Sequence, residues 1–382
     1  MIEAGQQRKV ALFLFAAGWG ANHFSSMLIV YRARLGLSQA ALGQIFGAYA
    51  LGLVPGLILA GRASDRWGRR TLVLPAGAVA IVASAVLGFG QYGFAVLLLG
   101  RLLYGLAMGC MMSPGSVWVQ ELSPPELGPR RATLALSAGF GLGPLVSGAL
   151  AEFAPAPLIL PYVVHAAVMG LGLAAAQTVP ETAVLADPTK PAKAPAQGLG
   201  RAELSLLLSL LPSAPWAFGL PAVSMVVLPV LLRSLVARPV LYSALLAAAT
   251  LFAGVLVQPL TARLGRRADL LGLALGAVGL WLGAQALSLR APNLVYAVAP
   301  LVGAGYGLVM TTGLREASER TPKATRGTVV GIYYVLTYLG FALPFLHALA
   351  AQHLGDARTL KFSAALLLAC LLTRALTFRQ RA

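Results

Sequence analysis

Long apolar runs broken by short charged islands set the rhythm of this chain. The stretch "ALGQIFGAYALGLVPGLILA" (41–60) has no charge in twenty positions, "GRASDRWGRR" (61–70) has five in ten, and "TLVLPAGAVAIVASAVLGFG" (71–90) is uncharged again. A helix needs about 20 apolar residues to cross a hydrocarbon layer about 30 Å thick, and these runs have that length. Splitting the chain at charges and Pro/Gly clusters predicts twelve spans. Six lie at 10–31, 39–61, 71–90, 94–120, 132–152 and 158–178, and six at 208–232, 239–261, 270–289, 293–314, 327–350 and 360–377. Between the two sets, "ETAVLADPTKPAKAPAQGLGR" (181–201), rich in Pro, Ala and charge, reads as a flexible linker. The expected organisation is a six-helix bundle over 1–182, a cytoplasmic linker over 183–204 and a second six-helix bundle over 205–382.

Composition agrees with an all-α membrane protein. Of 382 residues, 58% are hydrophobic and 11% charged, with a mean hydropathy of +0.79, whereas a soluble domain is about 25% charged. A formal charge of +17 would point to nucleic acid in a soluble protein. Here the basic residues sort by side instead. With the N-terminus inside, 21 fall on cytoplasmic segments and 7 on the opposite side, leaving Arg101 within a span. The expected setting is the lipid bilayer of a bacterial cytoplasmic membrane, crossed many times, with both termini cytoplasmic and no nucleic-acid partner. The first apolar run is too long for a signal peptide and lacks a small-residue cleavage site, so it reads as an uncleaved first span. Cys110 and Cys370 both sit in apolar runs, which argues against a disulfide framework.

The two halves echo each other. "QELSPPELGPRRATL" (120–134) and "REASERTPKATRGTV" (315–329) share Glu121/Glu316, Ser123/Ser318, Arg131/Arg326 and Thr133/Thr328 at an offset of 195. "DRWGRR" (65–70) has a worn copy in "ARLGRR" (262–267) at an offset of 197, with Ala262 in place of the acid. Both pairs fall in corresponding loops, so the chain reads as a parallel repeat of two six-helix halves.

On these residues the chain resembles the major facilitator superfamily along essentially its whole length. Gly61, Asp65, Arg66, Gly68, Arg69 and Arg70 match that family's loop motif between its second and third helices. "GRLLYGLAMG" (100–109) is similar to its fourth-helix motif through Arg101, Gly105 and Gly109. "GFGLGPLVSG" (139–148) is similar to the fifth-helix motif of its antiporters through Gly139, Gly143, Pro144 and Gly148, and "PET" (180–182) follows the sixth span as expected. The resemblance implies two halves rocking about a central site, with the first, fourth, seventh and tenth helices lining the cavity. It places Asn22, His23, Ser26, Met108, Met112, Met225, Tyr306, Met310 and Thr311 near a substrate. Tyr333, Tyr334 and Tyr338 in the eleventh span join them as candidates, and ordinary helix packing is the competing reading for each of these residues.

Several residues carry chemistry in their own right. Asp65 can accept hydrogen bonds at a helix N-terminus of the other half, where the dipole is positive. Arg69 and Arg70 are within reach of Glu121, and Arg266, Arg267 and Glu316 repeat the arrangement; such charge-assisted pairs would latch the cytoplasmic side shut. Arg131 and Arg326 join this gating set. A mid-span arginine costs at least about 2.5–3.5 kcal/mol, so Arg101 either binds backbone carbonyls of the first helix or serves an anion or proton site. No acid lies mid-span, which argues against an exporter that uses a buried carboxylate for cationic drugs. His23, His165 and His347 remain as titratable groups in spans, and His23, beside Asn22, is either the proton site or a packing histidine. Pro144 and its glycines would let the fifth helix bend and pack against the other half.

No phosphate-cradling loop, metal-ligand cluster or nucleophile–base pair is legible, so neither an enzyme nor a cofactor or metal is expected. The leading reading is a monomeric transporter exporting a small amphipathic or hydrophobic molecule in exchange for protons. The alternatives are a uniporter or importer of an organic anion or neutral metabolite, and a transporter-like membrane sensor.

Overall fold

The computed structural model describes residues 5–182, 199–322 and 325–379, with backbone alone at 61, 62, 65, 327 and 377–379. Among these residues twelve helices are long and apolar enough to cross a membrane. Spans 1 to 6 are Gln6–Leu35, Gln39–Ala60, Arg69–Gly88, Phe94–Glu121, Gly128–Phe153 and Leu160–Gln177. Spans 7 to 12 are Trp216–Leu235, Pro239–Leu256, Arg267–Ser288, Pro292–Glu319, Thr328–Leu354 and Asp356–Leu376. The chain divides into two compact units, Met1–Pro191 and Ala192–Ala382. In each unit the helices pair alike: 2 on 4 and 3 on 4 and 6 in the first, 8 on 10 and 9 on 10 and 12 in the second.

Glycines explain the tightest of these pairings. Hydrocarbon offers no hydrophobic drive between helices, so association depends on close backbone approach at small residues. A Cβ on Gly105 would collide with the Tyr49 carbonyl, and one on Gly109 would lie 2.5 Å from that of Leu53. In the second unit, Cβ atoms on Gly303 and Gly307 would collide with the carbonyls of Thr250 and Gly254. Gly56, Gly105 and Gly109 recur as Gly254, Gly303 and Gly307 at a constant offset of 198. The repeat is therefore built into the helix contacts as well as the loops.

Several boundaries differ from expectation, each for a local reason. The second span continues as helix to Trp67, so the charged island is mostly helical and Gly61 lies inside a helix. The whole turn falls on Gly68, whose φ of 98° favours glycine; Gly265, its counterpart, also has a positive φ, 54°. The seventh span does not begin at 208. Pro212 and Pro215 break the pattern, leaving a separate short helix Arg201–Leu210 before span 7 starts at Trp216. Span 8 likewise stops at Leu256, and Leu260–Leu264 forms its own short helix after Pro259. Span 7 contains a π turn, Val223–Val227, just after Pro221, and span 11 a 3₁₀ turn, Leu339–Ala342. The linker expected over 183–204 falls outside the described residues up to 198.

Large apolar side chains such as Leu51, Leu171, Leu256 and Leu372 are exposed outward, as hydrocarbon surroundings allow. Trp67, Phe89, Tyr92 and Phe153 are exposed at span ends, where aromatic rings favour the interface.

Replacing Gly109 or Gly307 by leucine overpacks these contacts and should cost about 1–3 kcal/mol or more. Gly170 and Gly331 face open space, so alanine there should be neutral or stabilising. Thermal unfolding in detergent checks the contrast; equal effects at all four positions would contradict the packing argument.

Candidate functional site

At the Gly68 end of the first unit, charges from spans 3, 4 and 6 meet. Helix N-termini leave backbone N–H groups without intrahelical partners. Glu181 supplies them for span 3: its carboxylate accepts from the Arg69 N–H at 2.9 Å and the Arg70 N–H at 2.8 Å. The Arg69 guanidinium pairs with Glu121 at 3.3 Å and donates to Ser64 at 2.7 Å, and Thr182 donates to the same Glu121. Arg70 does not reach Glu121; its guanidinium donates to the carbonyls of Gln177 and Val179. A Cβ on Gly68 would strike the Glu181 carboxylate, which gives this glycine a second reason besides its backbone. Arg66 stacks over Trp67. Asp65 lies outside the residues whose side chains are described. The network is partly solvated, with Arg69 14% and Glu121 31% exposed.

The Gly265 end of the second unit differs in kind. Arg374, fully buried, donates to Asp269 at 2.6 Å, to Glu316 at 3.0 Å and to the Ser209 carbonyl at 2.9 Å. Asp269 is also 0% exposed and Glu316 5%. Arg266 and Arg320 approach Glu316 from the rim at 3.7 and 3.6 Å, while Arg267 is exposed. The polarity is reversed relative to the first unit. There the third span's start supplies arginines and the sixth span's end an acid; here the ninth supplies the acid and the twelfth the arginine. Arg131 and Arg326 staple their own loops, donating to the Ser123 hydroxyl and the Thr321 carbonyl.

The interior of the first unit holds a polar centre. Arg101 donates to the carbonyls of Ala21 at 3.3 Å and Phe46 at 3.5 Å. Its guanidinium carbon lies 4.6 Å from the Phe24 ring centre and 4.5 Å from that of Tyr49, contacts that favour a desolvated cation. His165 is tied on both sides. Its Nε2–H donates to the Ala16 carbonyl at 3.1 Å and its Nδ1 accepts from Ser84 at 2.7 Å. His23 is fully buried with both nitrogens lacking a protein partner. Its ring lies 4.9 Å from those of Tyr162 and His165 on span 6, so it points into the bundle of its own unit. Ser26 donates to the Pro144 carbonyl at 2.9 Å, and Asn22 is half-buried. Gly139 and Gly143 press on Phe15 and Trp19 of span 1 within the same unit, where packing on the other half was expected. Gly148 is buried in the same continuous helix.

The second unit holds an aromatic cluster in which Phe218 and Tyr306 are half-buried and Tyr338 and Phe341 buried. Phe218 stacks on Tyr338 at 4.8 Å and on Tyr306 at 6.0 Å, and touches Phe341 at 5.1 Å. Met310 and Thr311 are half-buried beside Tyr306 on span 10. Met225 is enclosed in the π turn and Met108 is fully buried, so neither offers a free surface, and Met112 is half-buried.

This arrangement of charged loop ends on a repeated six-helix unit has known relatives. The family model described as Major Facilitator Superfamily matches residues 10–344. The chain belongs to the major facilitator superfamily. This is a superfamily of membrane transporters, and the chain is accordingly not an enzyme. It is 27% identical over 126 residues to the "probable metabolite transport protein CsbC" of Bacillus subtilis (strain 168), covering 31% of this chain and 27% of that one. It is 36% identical over 78 residues to the multidrug resistance protein MdtL of Escherichia coli, covering 20% of each. The matches thus span about a quarter of those relatives' lengths. A crystal structure of a D-xylose–proton symporter has the same fold, with a TM-score of 0.74, 17% identity and coverage of 96% of both chains.

Within this major facilitator fold, four contributors were not singled out from sequence, Asp269 among them as one more acid near a span end. Glu181 was visible only as part of "PET". Arg374 is the one charge between 362 and 378, and a lone charge in an apolar run is a signal in its own right. Phe218 had no sequence signal beyond being aromatic. The two charge networks predict different costs. Asp269→Asn leaves a buried arginine short of its partner and should cost about 3–5 kcal/mol. Glu121→Gln breaks a solvated pair and should cost about 1 kcal/mol or less. Chemical unfolding of both variants in one detergent checks this, and the reverse ranking would contradict the assignment of buried and solvated networks.

Proposed function

We propose that this protein is a secondary transporter that exports a small amphipathic or hydrophobic molecule by alternating access, in exchange for protons. The observation that carries the cargo class is the pair of half-buried rings Phe218 and Tyr306, backed by the buried Tyr338 and Phe341, with Met310 one helical turn beyond Tyr306. Rings and thioethers form an adaptable apolar wall. Among the described residues the carboxylates sit at span ends or beyond them, so a cationic cargo has no interior counter-ion. Likeness to a multidrug resistance protein supports the same reading.

Proton exchange is carried by His23 in this reading. Protonation of a buried imidazole without protein partners needs water to reach it first, because an unpaired buried charge is costly; His23 takes up its proton when opening of the bundle hydrates it. The cytoplasmic side is taken as the end bearing Gly68 and Gly265, where arginines are densest. There the solvated Arg69–Glu121–Glu181 network serves as the gate, with Asp65 as its acid latch. A uniporter or importer of a neutral metabolite is the second reading, favoured by the likeness to a metabolite transport protein. Arg101 does not favour an anion, because its guanidinium is directed at carbonyls and rings.

Purified protein in liposomes tests this. A dye-like amphiphile should accumulate under an imposed pH gradient, and His23→Gln should abolish the pH drive while sparing binding. Transport by His23→Gln that keeps its pH dependence would sink the proton role. Asp65→Asn should shift the population toward the inward-open state in spin-label distance distributions, and an unchanged distribution would reject the latch.

A further inference from the structure

The buried triad at the Gly265 end does more than neutralise charge. Arg374 presents a planar fork of donors, and each arm goes to a different element: span 9 through Asp269, span 10 through Glu316, and the short helix Arg201–Leu210 through the Ser209 carbonyl. That short helix is also seated by Leu206, Leu207 and Leu210 against Ala317, Val329 and Tyr333. Its other end is held by Thr325, which donates to Glu203 at 3.1 Å. The last turn of a helix leaves carbonyls unsatisfied and negative, so a guanidinium there both bonds and complements the dipole. Lysine cannot imitate this, since its ammonium is a point charge without the rigid fork.

We propose that Arg374 is a positioning residue of the transport cycle. It fixes the Glu316 carboxylate for Arg266 and clamps the segment leading into span 7, so that spans 9, 10 and 12 and the helix Arg201–Leu210 move as one block. The reversed polarity suits this role. An acid on span 9 and an arginine on span 12 can be enclosed completely, whereas the first unit's network stays wet and able to rearrange. This inference rests on the transporter reading for its purpose, but its structural content is independent of any cargo.

Backbone hydrogen exchange of the full chain in lipid nanodiscs tests it without a ligand. Arg374→Lys keeps the charge beside Asp269 and gives up the bonds to Glu316 and Ser209. The triple variant Asp269→Leu/Glu316→Met/Arg374→Met replaces all three buried charges with apolar groups, an exchange that is often neutral for stability. In both, residues 201–210 should exchange about 10-fold faster or more, while span 8 and the whole first unit stay unchanged, and in the triple variant the melting temperature also holds. A role confined to fold stability predicts otherwise: in the triple variant, exchange rising across spans 9 to 12 together with a lower melting temperature, or, in Arg374→Lys, full rescue by lysine. Either result would overturn the proposal, as would unchanged exchange at 201–210 in the triple variant. Loosening of this helix in a protein that moves no solute would leave the positioning role standing and remove the transporter reading alone.

Discussion

Arg374 is wholly buried in a protein whose outer surface is largely apolar, and its donors are met by Asp269, Glu316 and the Ser209 carbonyl. Removing such a charge from water costs several kcal/mol before any partner compensates. Every guanidinium nitrogen accordingly has a partner, and that matching forces geometry. Spans 9, 10 and 12 have to bring their ends within hydrogen-bonding distance of one guanidinium, and the helix Arg201–Leu210 has to end there too. The second unit is organised around that requirement. In the first unit the corresponding place is held by Glu181 capping span 3 and by the half-wet Arg69–Glu121 pair, which impose far less.

Internal duplication and functional asymmetry thus coexist. Glycine contacts repeat at an offset of 198, and Gly68 and Gly265 both turn with positive φ. Arg101, however, falls opposite Ala299 at that offset. The first unit has an arginine among rings and carbonyls midway along its fourth span; the second has its buried arginine at the end of its twelfth. Duplication supplied the scaffold, and charge placement differentiated the halves.

Much of this was legible in the chain. Twelve apolar runs gave twelve spans because hydrocarbon thickness leaves little freedom in helix length, and "DRWGRR" with its copy marked the equivalent loops. What escaped notice depended on three-dimensional packing. Asp269 looked like an ordinary span-end acid, and Glu316, read as a gate partner of Arg266 and Arg267, gave no sign of its burial, since burial near a membrane surface depends on which neighbours cover the end. Span 7 was started too early because the leucines of 204–211 continue the apolar pattern through Pro212, and only the docking of Leu206, Leu207 and Leu210 separates the short helix from the span. His23 was assigned to a cavity wall from its position on the first helix. Which side of a helix faces span 6 follows from packing, and a helix apolar nearly all round carries no pattern that reveals it.

The central claim is that the charged network of the first unit can rearrange and that of the second cannot. Distances within each unit test it most directly. Nitroxide pairs at Trp67 and Gln177 and, separately, at Arg263 and Thr373 can be compared in nanodiscs between about pH 5.5 and about pH 8, the interval in which an imidazole changes charge. The account predicts that the first pair gives two populations whose ratio changes, while the second gives one narrow distribution at both values. A shifting second pair beside an invariant first pair would contradict it.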